Sequence, residues 1–111
     1  PKWVFDLKSL RFLDVNIAAV KHYGYSHQEF LSMSIFDIRP SSEEERLKQV
    51  LHQSRFKKEF IYQGLFTHQK KDKELIRVSI QSALLNFKGR KAKLVIANDI
   101  TDQEKYLQAI E

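Results

Sequence analysis

Apolar and polar residues alternate in two short runs at the start of the chain, KWVFD (2–6) and LRFLDV (10–15). A period of two predicts a pair of strands, here joined by the polar turn LKS. At Asn16 the period changes. Asn is a favoured N-cap, IAAVKHY (17–23) reads as a compact helix, and Gly24 stands at the C′ position, where a left-handed residue costs little. SHQE (26–29) is a capping box that starts a second short helix ending near Met33, and SIFDI (34–38) is a further helical turn closed by Arg39 and Pro40. Ser42 and Glu45 repeat the capping box, with Glu43 and Glu44 at the positive end of a helix over about 43–55 that places Leu47, Val50, Leu51 and Ser54 on one face.

Three long strands complete the pattern. In 59–69, Phe60, Tyr62, Gly64, Phe66 and His68 alternate with Ile61, Gln63, Leu65 and Thr67. In 74–85, Ile76, Val78, Ile80 and Ser82 alternate with Arg77, Ser79 and Gln81, and in 91–100 the run LVIA is apolar on both faces. Turns this short forbid crossovers, so the strands are antiparallel. The expected class is α+β: a five-stranded antiparallel sheet with several short helices on one face and a C-terminal exit helix.

A chain of 111 residues forms one domain with a single core, and 42% apolar residues is the content of an ordinary globular domain. No apolar run approaches a membrane span and no signal-peptide pattern opens the chain. Pro at position 1 implies a piece excised from a longer protein. The lack of cysteine removes disulfides, thiol nucleophiles and Cys-based metal sites, and fits a cytoplasmic location. The net charge of +5 gathers in RFKK (55–58), KKDK (70–73) and KGRKAK (88–93). The last two are hairpin tips at opposite ends of the sheet, the distribution of a solvated loop surface, so nucleic-acid binding is not expected. No nucleophile, P-loop or zinc-protease motif is present, and Asp14, Glu29 and Asp37 sit at element ends, where caps explain them. No catalytic residue and no metal site is assigned.

The stretch FLDVNIAAVKHYGYSHQEFLSMSIFDIRP resembles the first half of a PAS domain, with its N-x-A helix start followed by YGYS-x-x-E. HQKKDKELIRVSIQS resembles the central hairpin, with Lys73 where Gly is usual, and LVIANDIT resembles the last strand with its D-I-T ending. The resemblance covers essentially the whole chain. It implies a sensory or dimerisation module, and the wording of the two strand motifs is most similar to multi-domain bacterial sensor histidine kinases; the alternative is a ligand-free dimerisation module in a diguanylate cyclase or transcription regulator. The expected division is a sensor domain over 1–101 and the start of a coiled-coil or linker helix over 102–111.

The resemblance also implies an internal pocket on the strand face that holds His68. His68 is then a candidate hydrogen-bond partner for a ligand, with Phe66, Val78, Ile80 and Ala97 from the sheet and Phe36 and Leu51 from the helices lining the same space. The alternative is that eight Phe fill the interior, and that His68 is half-exposed and tied to a backbone group. The ligand is unknown. Some relatives of this kind bind haem through a His on the long helix; His52 lies there, but at 100° per residue it points about 140° from the direction of Leu47, towards solvent, so haem is not expected. A cysteinyl-flavin adduct is excluded by the absence of Cys.

If Val95 and Ala97 face the helices, Leu94 and Ile96 project from the opposite sheet face and want a cover. The resemblance implies a flanking helix or a second copy; a homodimer is the favoured reading, with Trp3 a further candidate for the patch. TDQE (101–104) reads as a third capping box, Thr101 bonding the amide of Glu104 and Glu104 reaching back, while Ile100, Leu107 and Ile110 fall at heptad-like spacing. The D-I-T ending implies that Asp99 and Thr101 hold a signal junction between the last strand and a helix leading to an output domain.

Overall fold

The computed structural model describes residues 1–54 and 61–110. The expectations for Phe60 and for the cluster RFKK lie outside the described residues, as do those for the side chains of Ser54, Ile61, Tyr62, Gln63 and Ile110. Strands β1 (Lys2–Asp6) and β2 (Phe12–Val15) are followed by helices α1 (Ile17–Tyr23), α2 (His27–Leu31) and α3 (Glu44–Ser54), strands β3 (Ile61–Gln69), β4 (Leu75–Phe87) and β5 (Arg90–Asp99), and helix α4 (Thr101–Ile110). The sheet has the order β2-β1-β5-β4-β3 and every neighbouring pair is antiparallel. The first hairpin and the last strand are thereby brought side by side, and one broad face is left for the helices to cover.

Local chemistry explains most of the boundaries. Asn16 accepts the Ala19 amide at 2.9 Å, and Gly24 closes α1 in the left-handed region at φ 88°. Ala19 and Tyr23, one helical turn apart, are its buried residues. Ser26 and Glu29 form the expected capping box on α2, and Ser34 with Asp37 form another on the 3₁₀ turn Ile35–Ile38. The first hairpin is tighter than its apolar pattern suggests: Asp6 turns inward and accepts the amides of Lys8 (2.7 Å) and Ser9 (3.1 Å), so Leu10 turns left-handed and pairing resumes only at Phe12.

Two expectations need correction. Ser42 does not cap α3: it lies inside a 3₁₀ turn, Ser41–Glu43, that follows Pro40 and runs into the helix. Pro40 fixes the entry dihedral as N-cap, so the helical turn begins two residues earlier than the box requires. The alternation of β3 does not run unbroken, because the register shifts between Tyr62 and Gly64, with Gly64 at φ 114°. In the turn between β3 and β4, Lys73 takes the left-handed conformation that glycine adopts without strain, at φ 79°.

The core lies between the sheet and α1–α3. Phe66, Ile76, Val78, Ile80, Val95 and Ala97 face Ala19, Tyr23, Phe30, Ile35, Ile38 and Leu47. Among the described residues no helix is long and apolar enough to cross a membrane.

Candidate functional site

Between α3 and the sheet the packing leaves a cavity of about 30 Å³. Its apolar lining includes Phe66, Ile80, Val95 and Leu51, and among the described residues three polar side chains reach it: Arg39, Ser82 and Lys93. Of the residues expected there, Phe66, Ile80 and Leu51 line it, whereas His68, Val78, Ala97 and Phe36 do not. Room for one or two waters is far below what a haem or flavin needs. Alternation along β5 would have found Lys93, which shares the parity of Val95 and Ala97; Arg39 follows a helical turn and carries no such signal. His52 is exposed on α3. Among the described residues no group of three His, Cys, Asp or Glu could hold a metal ion.

His68 is not half-exposed at a strand end. It is fully buried, with its Nδ1 at 2.7 Å from the Tyr23 hydroxyl and its ring 5.9 Å from that of Trp3. Nε2 is buried with no hydrogen-bond partner among the described residues. Burial, and then the Arg39 charge, push the His68 pKa well below its ordinary value, so the ring is neutral; burial likewise raises that of Tyr23. Trp3 belongs to this cluster and not to the opposite sheet face: it is 2% exposed, packed edge-on against Phe12 and Tyr23. Its register partner explains this, since Trp3 pairs with inward-facing Val95.

At the end of β5, Asp99 and Thr101 sit in a network that ties α4 to the sheet. Asp99 Oδ1 accepts both the amide (2.9 Å) and the hydroxyl of Thr101, and Oδ2 lies 2.7 Å from His22 Nε2 on α1. Thr101 Oγ1 accepts the Arg77 amide at 2.9 Å, and the Ile100 amide donates to the Arg77 carbonyl at 2.8 Å. The expected TDQE box is replaced. Thr101 is already the first residue of α4, its hydroxyl is taken by Asp99 and Arg77, and Glu104 pairs with Arg77 Nε at 3.2 Å. Burial raises the Asp99 pKa, but the Thr101 and His22 hydrogen bonds outweigh it and hold the carboxyl below its usual value. The contributions of His22 and Arg77 had no signal in the sequence, since each depends on a strand end meeting a distant element. Further along α4, Tyr106 and Leu107 are exposed.

On the sheet face away from the helices, Leu94 pairs with Val4 and Ala83, and Ile96 with Lys2 and Gln81. Leu94 and Ile96 are half-buried within this partly apolar surface.

The sequence matches the family model for the PAS domain over residues 1–102. Among solved structures, the fold is similar to a PAS domain from Colwellia psychrerythraea, with TM-score 0.79, 17% identity, and coverage of 91% of this chain and 86% of that one. It is also similar to Drosophila melanogaster Cycle PAS-B with bound ethylene glycol (TM-score 0.75, 13% identity, 88% and 97% covered). A third similar structure is a PAS domain from a two-component sensor histidine kinase (TM-score 0.63, 19% identity, 88% and 82% covered). Among curated proteins none matches.

Proposed function

The chain belongs to the PAS domain family, and from that premise we propose that it senses and relays a signal inside a multi-domain bacterial sensor histidine kinase. The observation that carries this reading is the junction in which Asp99 holds Thr101 and His22 while Thr101 and Glu104 hold Arg77. One network touches α1, β4, β5 and the first turn of α4, so a small displacement of the sheet alters the direction in which α4 leaves. A relay needs only that ligand or partner binding favour one of two junction states. In this reading the domain over residues 1–101 senses, and phosphoryl transfer belongs to an output domain reached through α4, whose residues from 102 onward form the start of the linker helix. The similar structure from a two-component kinase supports that parent class, and the PAS-B structure holding ethylene glycol supports uptake of a small molecule by this kind of fold. The small cavity favours the second reading, a ligand-free dimerisation module of a diguanylate cyclase or regulator.

Autophosphorylation of the intact parent carrying Thr101→Val tests the relay. The hydroxyl bonds to Asp99 and to the Arg77 amide are lost at a cost of about 1 kcal/mol, comparable with a modest coupling energy, so basal output shifts several-fold. Unchanged output with a folded domain contradicts the reading.

The partner in this proposal is a second copy, in the cytoplasm, docked through Leu94 and Ile96. Replacing both by Asp is expected to keep the circular dichroism spectrum and to convert a sedimenting dimer into a monomer. A parent chain already monomeric at tens of micromolar, where an interface of about −6 to −7 kcal/mol would be half-populated, removes the dimer from the account.

A further inference from the structure

Exposed positive charge gathers where two turns, distant in the chain, meet. Asp6 of β1 pairs with Ala92 of β5, and the Leu7 amide donates to the Lys91 carbonyl at 3.1 Å. The turn between β1 and β2 therefore lies beside the tip of the β4–β5 hairpin. Lys8 and Arg11 come from the first turn, Lys88, Arg90 and Lys91 from the second, and all are exposed. The carboxylates that these cations meet among the described residues are Asp6 and Asp14, and both are engaged. Asp6 accepts the Lys8 and Ser9 amides and pairs with Arg90 at 3.2 Å. Asp14, which feels the Lys88 charge, pairs with His27 at 3.0 Å.

The tip holds a lysine where the backbone does not favour one. Lys88 and Gly89 are both left-handed, at φ 49° and φ 81°, and the Phe87–Arg90 pair closes the turn behind them. In such a two-residue hairpin turn Asn or Asp commonly precedes the glycine, because a short polar side chain tolerates the left-handed region better than a long one. Lysine accepts that strain and keeps an ammonium at the tip, 5.4 Å from the centre of the Phe87 ring. Phe87 is itself half-buried, so part of an aromatic ring lies among the cations.

We propose that this end of the sheet is a docking surface for the headgroup layer of a bilayer that carries anionic lipid. The cations stand on two turn tips, and Lys8, Arg11, Lys88, Arg90 and Lys91 are all absent from the lining of the cavity. A fluid headgroup layer brings its charges to wherever flexible side chains end, whereas a folded acidic partner must present a matching set. Cations on two tips without a shaped pocket suit the fluid surface. Phe87 beside Lys88 supplies the aromatic contact of an interfacial site. β5 begins in this surface and ends at Asp99, so the docked chain keeps its exit helix at the far end of the strand. The proposal is independent of the relay reading.

Co-sedimentation of the chain with phosphatidylcholine vesicles, with and without about one-third phosphatidylglycerol, is the test. At about 0.1 M salt the chain is expected to sediment with the mixed vesicles and to stay in solution beside pure phosphatidylcholine, and about 0.5 M salt is expected to release it. Lys88→Glu with Lys91→Glu is expected to weaken binding by at least about tenfold with an unchanged circular dichroism spectrum. Should that variant not fold, Lys8→Glu with Arg11→Glu makes the same comparison from the neighbouring turn. Lys21→Glu with Lys105→Glu changes the net charge equally, at exposed positions of α1 and α4, and is expected to keep at least about half of the binding. Equal losses from the two charge reversals mean that net charge alone is at work and overturn the surface. Sedimentation with both kinds of vesicle alike, or with neither, also overturns it. Binding to polyglutamate or duplex DNA in place of vesicles, abolished by Lys88→Glu with Lys91→Glu, would give these cations to an acidic polymer and overturn the lipid assignment.

Discussion

Tyr23→Phe is expected to lower stability by about 2 kcal/mol and the midpoint of thermal unfolding by about 8 °C. The substitution removes one oxygen and changes no apolar packing. Its effect comes from His68, whose Nδ1 loses the hydroxyl at 2.7 Å while Nε2 already has no partner among the described residues. Both ring nitrogens then lie buried and unsatisfied beside Trp3. Removing the imidazole as well relieves that penalty, so Tyr23→Phe with His68→Leu is expected to be more stable than the sum of the single changes predicts, by about 1 kcal/mol. Additive single and double variants would show that the pair is ordinary packing. The same histidine sets a pH dependence. An unfolded histidine titrates near 6.5, whereas burial and the Arg39 charge keep the folded one well below that value. Below about pH 6.5 the unfolded state binds the extra proton, so stability present above that pH is lost as the pH falls, by up to about 1.4 kcal/mol per unit. His68→Leu should remove this slope when wild type and variant are unfolded by urea at pH 7 and pH 5.

Alternation and capping made the order of elements legible, because both are local: the strands from 75 to 99, the N-cap at Asn16 and the box at Ser26 need only their own neighbours. What escaped was set by contacts distant in the chain. The register shift at Gly64 breaks a parity count that otherwise holds across β3, and Pro40 displaces a cap that the residue types alone support. Trp3 looked like a surface residue near a chain end until its pairing with Val95 gave it a face. The cavity was only half legible. Its sheet wall follows from parity, but Arg39 enters from a segment with no period, and the filling of the space around His68 depends on how Tyr23 and Trp3 meet it.

Asp99→Ala is expected to be the most disruptive single change at the junction. One carboxylate holds the Thr101 amide, the Thr101 hydroxyl and His22, and its half-exposed position limits the cost to the folded domain to about 1–2 kcal/mol. The loss falls on α4, a ten-residue helix too short to persist in water on its own. Its amides, protected in the parent sequence by attachment to Arg77 and Asp99, should exchange about tenfold faster with solvent in the variant, while the amides of β4 and β5 keep their protection. Uniform loss of protection would place Asp99 in the global stability of the fold and not at a junction.

The proposed relay requires strand and exit helix to move as one through Asp99. Autophosphorylation of the intact parent, wild type against Asp99→Ala, tests it directly, with hydrogen exchange of the same preparations confirming that the sheet is intact. A several-fold change in basal output or in its response is expected. Output equal to wild type, with α4 loosened and the sheet intact, would contradict it, because the helix would then be a tether that carries no signal.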